Sequence, residues 1–276
     1  AQEIARLTDG SFGFIGEAAN SVGGYLAGAV PGEGGLNAAA MIEQARKAYV
    51  TLNLEPELDH ANPAAAMAAL DGAQLVVALT SFDSPSLRQV ADVMLPIAPF
   101  TETSGTFVNC EGRAQSFAAV AKPFGDVRPG WKVLRVLGNL LALAGFAQAD
   151  SEAVRAEALA GDLASRLDNG VEGIVVSSAT GAAGALERVA DVPIHFADPI
   201  ARRAPSLQKT RDAAAPTARM APATLAALGL AAGDRVRVAQ GGASFELVAQ
   251  ADEGLAAGCV RVAAAHPSTA ALGAMS

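Results

Sequence analysis

Between residues 36 and 96, short apolar runs alternate with alanine-rich or polar stretches of helical length. Leu36 to Lys47 predicts a helix, and Ala48 to Leu54, apolar with β-branched members, predicts a strand. Asn62-Pro63 is an N-cap followed by proline at the first helical position, opening an alanine-rich helix to Leu70. Gln74 to Thr80 (QLVVALT) is a continuous apolar run of the kind found in buried parallel strands. Ser84-Pro85 opens another short helix, and Asp92 to Leu95 predicts a third strand stopped by Pro96. Strand, helix, strand, helix, strand in that order predicts an α/β fold: a parallel sheet with flanking helices.

Downstream the pattern loosens. Residues 102 to 120 read as an excursion containing a hairpin, and Trp131 to Ala144 and Ser151 to Leu167 as helices. The longest apolar stretch, Val133 to Phe146, is interrupted by Arg135, Gly138 and Asn139. It reads as a buried amphipathic helix and is too short to span a bilayer. Ile174 to Ser177 and Pro193 to Phe196 read as strands flanking a helix from Ala182 to Ala190. Composition changes after Pro199, which divides the chain into an α/β domain over 1–200, a linker over 201–216 and a small β-rich, barrel-like domain over 217–276. In the last, a helix ending at Gly229 precedes strands at Arg235 to Ala239, Phe245 to Gln250 and Cys259 to Ala263. No fixed-period repeat is visible.

Hydrophobic residues make up 51% of the 276 positions and charged residues 17%, enough to bury a core and exclude global disorder. The net charge of −8 does not suit binding to nucleic acid or anionic lipid. The charge is uneven: residues 1–71 carry nine acids against three bases, a balance of −6. Residues 198–212 carry Arg202, Arg203, Lys209 and Arg211 against Asp198 and Asp212, a balance of +2. The basic strip reads as a contact with a partner or with the chain itself. Cys110 and Cys259 stand far apart in no ligand spacing, which excludes a four-cysteine cluster or structural zinc within this chain. The chain opens on Ala1-Gln2-Glu3-Ile4 without Met and reads as a fragment.

Candidate chemistry is sparse. Gly13/Gly16 and Gly181/Gly184 each give GxxG, neither of them the longer glycine motif that cradles phosphates, and ordinary tight turns account for both. Glu55, Glu57 and Asp59 with His60 offer carboxylates to a hard cation, but nothing nearby completes a shell. They are expected at the solvated end of a strand. His60, His195 and His266 are the only histidines, no GxSxG elbow is present, and Cys110 has no neighbouring base. No catalytic residue and no metal ligand is assigned.

The informative segment is ADVMLPIAPFTETSGTFVNCEGRAQ, Ala91 to Gln115. It leaves the carboxyl end of the expected sheet, where α/β folds place ligands. Glu102, Thr106, Asn109, Glu111 and Arg113 then arrive within a dozen residues around Gly105 and Gly112. Such a set can hydrogen-bond a large polar ligand, or it can satisfy itself.

At this segment the chain resembles the molybdopterin oxidoreductase superfamily, through AD-V-LP followed by E, GT, N, EGR and Q. KPFGDVRPGWKVLRVLGNLL (Lys122 to Leu141), DPIARRAPSLQKT (Asp198 to Thr210) and EAANSVGGYLAG (Glu17 to Gly28) make it similar, within that superfamily, to the large peripheral-arm subunits of bacterial NADH-quinone oxidoreductase, respiratory complex I. The resemblance covers the C-terminal portion of such a subunit. It implies iron–sulfur clusters in an N-terminal part with cysteine motifs that this chain lacks, a pterin that has been lost, and no cofactor in the chain itself. Residues 217–265 resemble the small domain that closes over the dinucleotide in molybdenum enzymes. Asn109, Glu111 and Arg113, with His266 and Thr269, would then be relics of a cofactor cradle.

The function so implied is that of a cluster-free scaffold in the complex I peripheral arm, supporting electron transfer from NADH to quinone. Its partners would be other peripheral-arm subunits, with no nucleic acid and no membrane insertion, on the cytoplasmic face of the bacterial inner membrane. Docking would use the acidic front half and the Arg202–Arg211 strip. The alternatives are a molybdopterin-dinucleotide-binding fragment of a molybdenum oxidoreductase and a stand-alone small-molecule binding protein.

Overall fold

The computed structural model describes residues 1–16, 18–169 and 186–274. The described residues fall into two compact units, one from 1–41 and 96–169, the other from 42–95 and 186–274. Among the described residues the chain passes between them at Met41 and Ile42 and again at Leu95 and Pro96.

In the second unit β1 (Ala48–Leu52) pairs in parallel with β2 (Leu75–Thr80), Val50 opposite Val77 and Leu52 opposite Leu79. β2 is buried at Val76 and over its last three residues, which is why its apolar run is unbroken. The helix Pro63–Asp71 between them starts where the sequence expects, with Asn62 Oδ1 accepting from the Ala65 N–H at 3.2 Å. Its inner face brings Ala69 and Leu70 onto Tyr49 and Val76. Ser84 caps the next helix, Pro85–Val90, whose Leu87 is fully buried. β3 (Val93–Ala98) follows beside β2. The strand was expected to stop at Pro96 but continues through it, because an extended backbone accommodates the φ of proline. The Pro96 side chain faces outward while Ile97 and Ala98 are buried.

In the first unit β4 (Gly105–Val108) and β5 (Ala114–Phe117) form the expected hairpin, with the Phe107 and Phe117 rings 5.0 Å apart. Ile97 and Ala98 of β3 pair in parallel with Arg128 and Pro129 of β6 (Arg128–Pro129). The helix Gly130–Leu140 ends earlier than its apolar pattern suggests. Ala142 turns to φ 54° and the chain folds back, laying the Phe146 ring on Gly138, where a Cβ would come within 2.4 Å of it. Leu140, Leu141 and Leu143 are exposed, so the segment is not one buried helix. The next helix, Ser151–Ala158, is capped by Asp150 and is half the expected length; a single turn at Ala164–Arg166 follows.

The expected strand at 174–177, the glycines 181 and 184, and the start of the expected 182–190 helix lie outside the described residues. Of that helix, Glu187–Val189 is instead a strand, β7, in parallel with β11 (Cys259–Arg261). Its extended conformation is fixed by hydrogen bonding to a strand 72 positions away, a long-range pairing that overrides local propensity. Pro193–Phe196 is a turn of 3-10 helix at Ile194–Phe196 rather than a strand. Short helical turns also occupy Pro199–Arg202, Leu207–Lys209 and Arg211–Ala213, the stretch expected to be a linker.

With β8 (Ala218–Met220), β9 (Arg235–Gln240) and β10 (Ala243–Ala251) these strands form a curled five-stranded sheet ordered β7-β11-β8-β10-β9. Its core is Ala218, Met220, Leu225, Leu247, Ala249, Val260, Val262 and Leu272. The two edge strands approach closely enough for Arg188 of β7 to donate to the Gln240 side chain of β9 at 3.0 Å. Among the described residues no helix is long and apolar enough to cross a membrane.

The Asn62 cap satisfies an otherwise unpaired N–H at the start of the helix behind β1 and β2. Asn62→Ala is expected to lower stability by about 1 kcal/mol, read as a lower urea midpoint with an unchanged m-value.

Candidate functional site

At the carboxyl ends of β1 and β2 lies a cleft of about 660 Å³, within the second unit. Leu58, Met67, Phe196 and Pro267 give it apolar walls, and Glu55, Glu57, Ser84, Arg202 and Arg203 supply its polar groups. This is the place where open α/β sheets bind ligands.

The acidic cluster forms its floor. It was expected to be solvated, but the Glu55 side chain is only 4% exposed and faces Arg202, 6% exposed, with Arg202 Nη1 donating to Glu55 Oε2 at 2.6 Å. Arg203 bonds the other Glu55 oxygen, and Arg202 Nη2 bonds Asp59 Oδ1. Asp59 Oδ2 accepts the Glu55 N–H at 2.8 Å, and Arg202 Nε donates to the Phe196 carbonyl at 2.6 Å. Two carboxylates and two guanidiniums therefore neutralise one another with nearly every inward-facing atom bonded. That is the condition under which a buried ion pair survives its desolvation. Arg203 also lies over the Phe82 ring, 4.4 Å from its centroid. Burial pushes the Glu55 carboxyl up, but Arg203 and Arg202 together outweigh it and hold the group below the usual glutamate range. Burial likewise works against the charge on Arg202, and Asp59 and Glu55 reverse it, leaving the guanidinium raised.

Arg202 is thus turned inward, not presented as part of an external basic strip, while Arg203 remains partly exposed beside it. Lys209 and Arg211 are exposed. His60 does not join the carboxylates; its Nδ1 accepts the Asn62 N–H at 3.0 Å.

The remaining candidates lie elsewhere. Asn109, Glu111 and Arg113 make the tip of the β4–β5 hairpin in the first unit. Asn109 Oδ1 accepts from the N–H groups of Glu111 (3.1 Å) and Arg113 (2.9 Å), and the Glu111 and Arg113 side chains meet at 3.6 Å while mostly exposed. Gly112 takes φ 80° where a Cβ would strike Leu167. The set satisfies itself as a surface turn, so these residues are not a buried network. Cys110, at the same tip, and Cys259 are free thiols. In the second unit Thr269 is fully buried and donates to the Ala263 carbonyl at 2.7 Å. His266 packs on Phe196 with ring centroids 4.4 Å apart, and burial lowers its pKa. Among the described residues no group of His, Cys, Asp or Glu is arranged to hold a metal.

A dinucleotide cofactor brings a pyrophosphate, which needs uncommitted cations or N–H groups. Both arginines of the cleft are bound to the chain's own carboxylates. The helix starts beside it are already capped, with the Ala65 and Leu87 N–H groups donating to Asn62 and Ser84. Glu57 adds a further negative charge, and its buried Oε2 has no hydrogen-bond partner among the described residues. The donor set of this cleft does not fit a pyrophosphate.

Removing Glu55 takes from Arg203 its only carboxylate and from the buried Arg202 one of its two, leaving the buried cation incompletely compensated. Glu55→Ala is expected to destabilise the chain by about 3–5 kcal/mol, measured by urea unfolding. Because the folded-state pKa of Glu55 is lowered, its contribution is complete above the ordinary glutamate pKa and is lost as pH falls through the folded value. The variant should therefore unfold with a shallower acid dependence than the parent.

Family models place these features in context. The "Molybdopterin oxidoreductase" model matches residues 2–140, and the "Molydopterin dinucleotide binding domain" model matches residues 199–274. The mitochondrial NADH-ubiquinone oxidoreductase 78 kDa subunit of Candida albicans is 49% identical over 51 residues, 18% of this chain and 7% of that protein. A putative formate dehydrogenase of Staphylococcus aureus is 44% identical over 52 residues, 19% of this chain and 5% of that protein. Each match thus spans a small part of the relative's length. Among solved structures, acetylene hydratase from Pelobacter acetylenicus superposes with a TM-score of 0.58 at 18% identity, covering 86% of this chain and 41% of that one, a likeness of fold. With the first family model spanning half of its residues and the second its C-terminal sheet, the chain belongs to the molybdopterin oxidoreductase family.

Proposed function

We propose that this chain is a cofactor-free scaffold portion of the complex I peripheral arm, supporting electron transfer from NADH to quinone carried out elsewhere in the assembly. The observation that carries the reading is the commitment of Arg202 and Arg203 to Glu55 and Asp59. Two cations at the carboxyl end of the sheet are spent on an internal ion-pair network, and an anionic dinucleotide would have to break it. The local similarity to the NADH-ubiquinone oxidoreductase 78 kDa subunit supports the same reading. So do the sequence stretches Lys122 to Leu141 and Asp198 to Thr210.

In such an arm the chain's own residues act by holding shape. The Glu55–Arg202 pair joins the 42–95 segment to the 186–274 segment of one unit. Partner subunits of the peripheral arm would dock on surfaces other than Arg202, which is buried. A second reading, a molybdopterin-dinucleotide-binding fragment of a molybdenum oxidoreductase, draws on the dinucleotide-domain match over 199–274 and on the formate dehydrogenase similarity.

Metal and pterin content separate the two. The purified chain, expressed in a host that makes molybdenum cofactor, is expected to yield only background molybdenum by mass spectrometry and background fluorescence after oxidation of any released pterin. Either quantity near one per chain would overturn the scaffold reading.

A further inference from the structure

The curled five-stranded sheet is a barrel left open along one seam. β7 and β9 stand at the two ends of its strand order and form no ladder with each other. Behind that seam lies a cavity of about 440 Å³, lined by Met220, Leu230, Val236, Val238, Val260 and Val262. Leu186 and Leu228 also line it and are exposed, so the cavity reaches the surface. Barrel mouths are a recurrent place for small-molecule sites, whose volumes run from about 300 to 1,000 Å³.

The strand register sends the Arg188 side chain into this interior. Arg188 pairs with Val260, and Val260 with Met220. Residues paired in this way share a face of the sheet, and Val260 and Met220 belong to the core. Gln240 alternates with Val236 and Val238, which pack on the same core, and its side chain accepts from Arg188 Nη1 at 3.0 Å. Arg188 and Gln240 both line the cavity, and Arg188 is half-buried there.

The other bonds of Arg188 go to backbone carbonyls, from Nε to Val262 at 3.3 Å and from Nη2 to Ala263 at 3.1 Å. All three acceptors are neutral, and two of the five guanidinium N–H bonds have no acceptor among the described residues. Nor does Arg188 form an ion pair among them: Asp191, the carboxylate that acts on it, lies 4.0 Å from Arg261 instead. Burial works against its charge more than Asp191 supports it, leaving the guanidinium below the usual arginine range. A half-buried cation with neutral partners alone is incompletely compensated, and an anion entering the cavity would complete it.

We propose that this cavity binds a medium-chain aliphatic carboxylate, its head on Arg188 and its alkyl chain among Met220, Val236, Val238 and Val262. A charge-assisted bond to the guanidinium fixes the head, and the aliphatic walls take the chain out of water. Glu187, exposed on the outer face of the same strand and lining the cavity, repels a second negative charge and so disfavours phosphate and dicarboxylates. The cavity shares no lining residue with the Glu55–Arg202 cleft, so the inference stands independently of the scaffold reading.

Met220 lies in the cavity wall, so its methyl group reports on occupancy. In NMR spectra of the whole chain with isotope-labelled methionine methyls, octanoate is expected to shift the Met220 resonance saturably, the assignment coming from Met220→Leu. Octanamide, the same chain without the charge, is expected to bind about tenfold or more weakly. Arg188→Gln should raise the half-saturating octanoate concentration about tenfold or more. Val238→Phe, which leaves Arg188 in place and fills the cavity, should abolish the shift. Circular dichroism confirms which variants fold, and either one is sufficient. Equal half-saturation by acid and amide, saturation by inorganic phosphate, an unchanged midpoint in a folded variant, or no saturable shift of Met220 up to tens of millimolar would each overturn the proposal.

Discussion

The contact between Glu55 and Arg202 brings a buried carboxylate and a buried guanidinium to 2.6 Å from positions 147 residues apart. Desolvating two charges is expensive, and the pair survives because its atoms are bonded beyond one another, to Asp59, Arg203 and the Phe196 carbonyl. Everything about the cleft above it follows. Arg202 is held inward, the local charge is balanced before Glu57 is counted, and the backbone after β1 is pinned by Asp59 on the Glu55 N–H. Apart from Glu57, the charged groups that line this cleft are paired with one another within the chain.

The same principle of polar satisfaction separates the two cleft regions. Around Arg202 each donor has found an acceptor within the chain. Around Arg188 the guanidinium bonds neutral acceptors alone and keeps two N–H bonds with none among the described residues. The hairpin tip at Asn109, Glu111 and Arg113 is a third case, closed on itself through Asn109 Oδ1 and exposed to water. Polar residues grouped in sequence can therefore have three quite different meanings, and only partner geometry distinguishes them.

Local rules were legible in the sequence. Asn62-Pro63 and Ser84-Pro85 mark helix starts because a cap and a first-turn proline act within three residues, and both caps form. QLVVALT reads as a buried strand because burial on both faces demands an unbroken apolar run. Less was legible where the deciding partner is remote. β7 is extended only because β11 lies beside it, and the helix at 130–140 stops where Phe146 returns onto Gly138.

The sequence by itself determined the α/β class, the order of the first three strands, the hairpin after β3 and, through its motif at Ala91 to Gln115, the family. These depend on propensities, caps and periodicities that span a few residues. What only the tertiary structure decided was the fate of the charges. The cluster Glu55, Glu57 and Asp59 read as the solvated end of a strand, and the run Arg202–Arg203 as part of a strip contacting a partner or the chain itself, with neither pointing to the other. Folding pairs Glu55 and Asp59 with the buried Arg202, and Glu55 with the partly exposed Arg203, because Coulomb attraction depends on distance in space and the chain between them leaves no local trace of it.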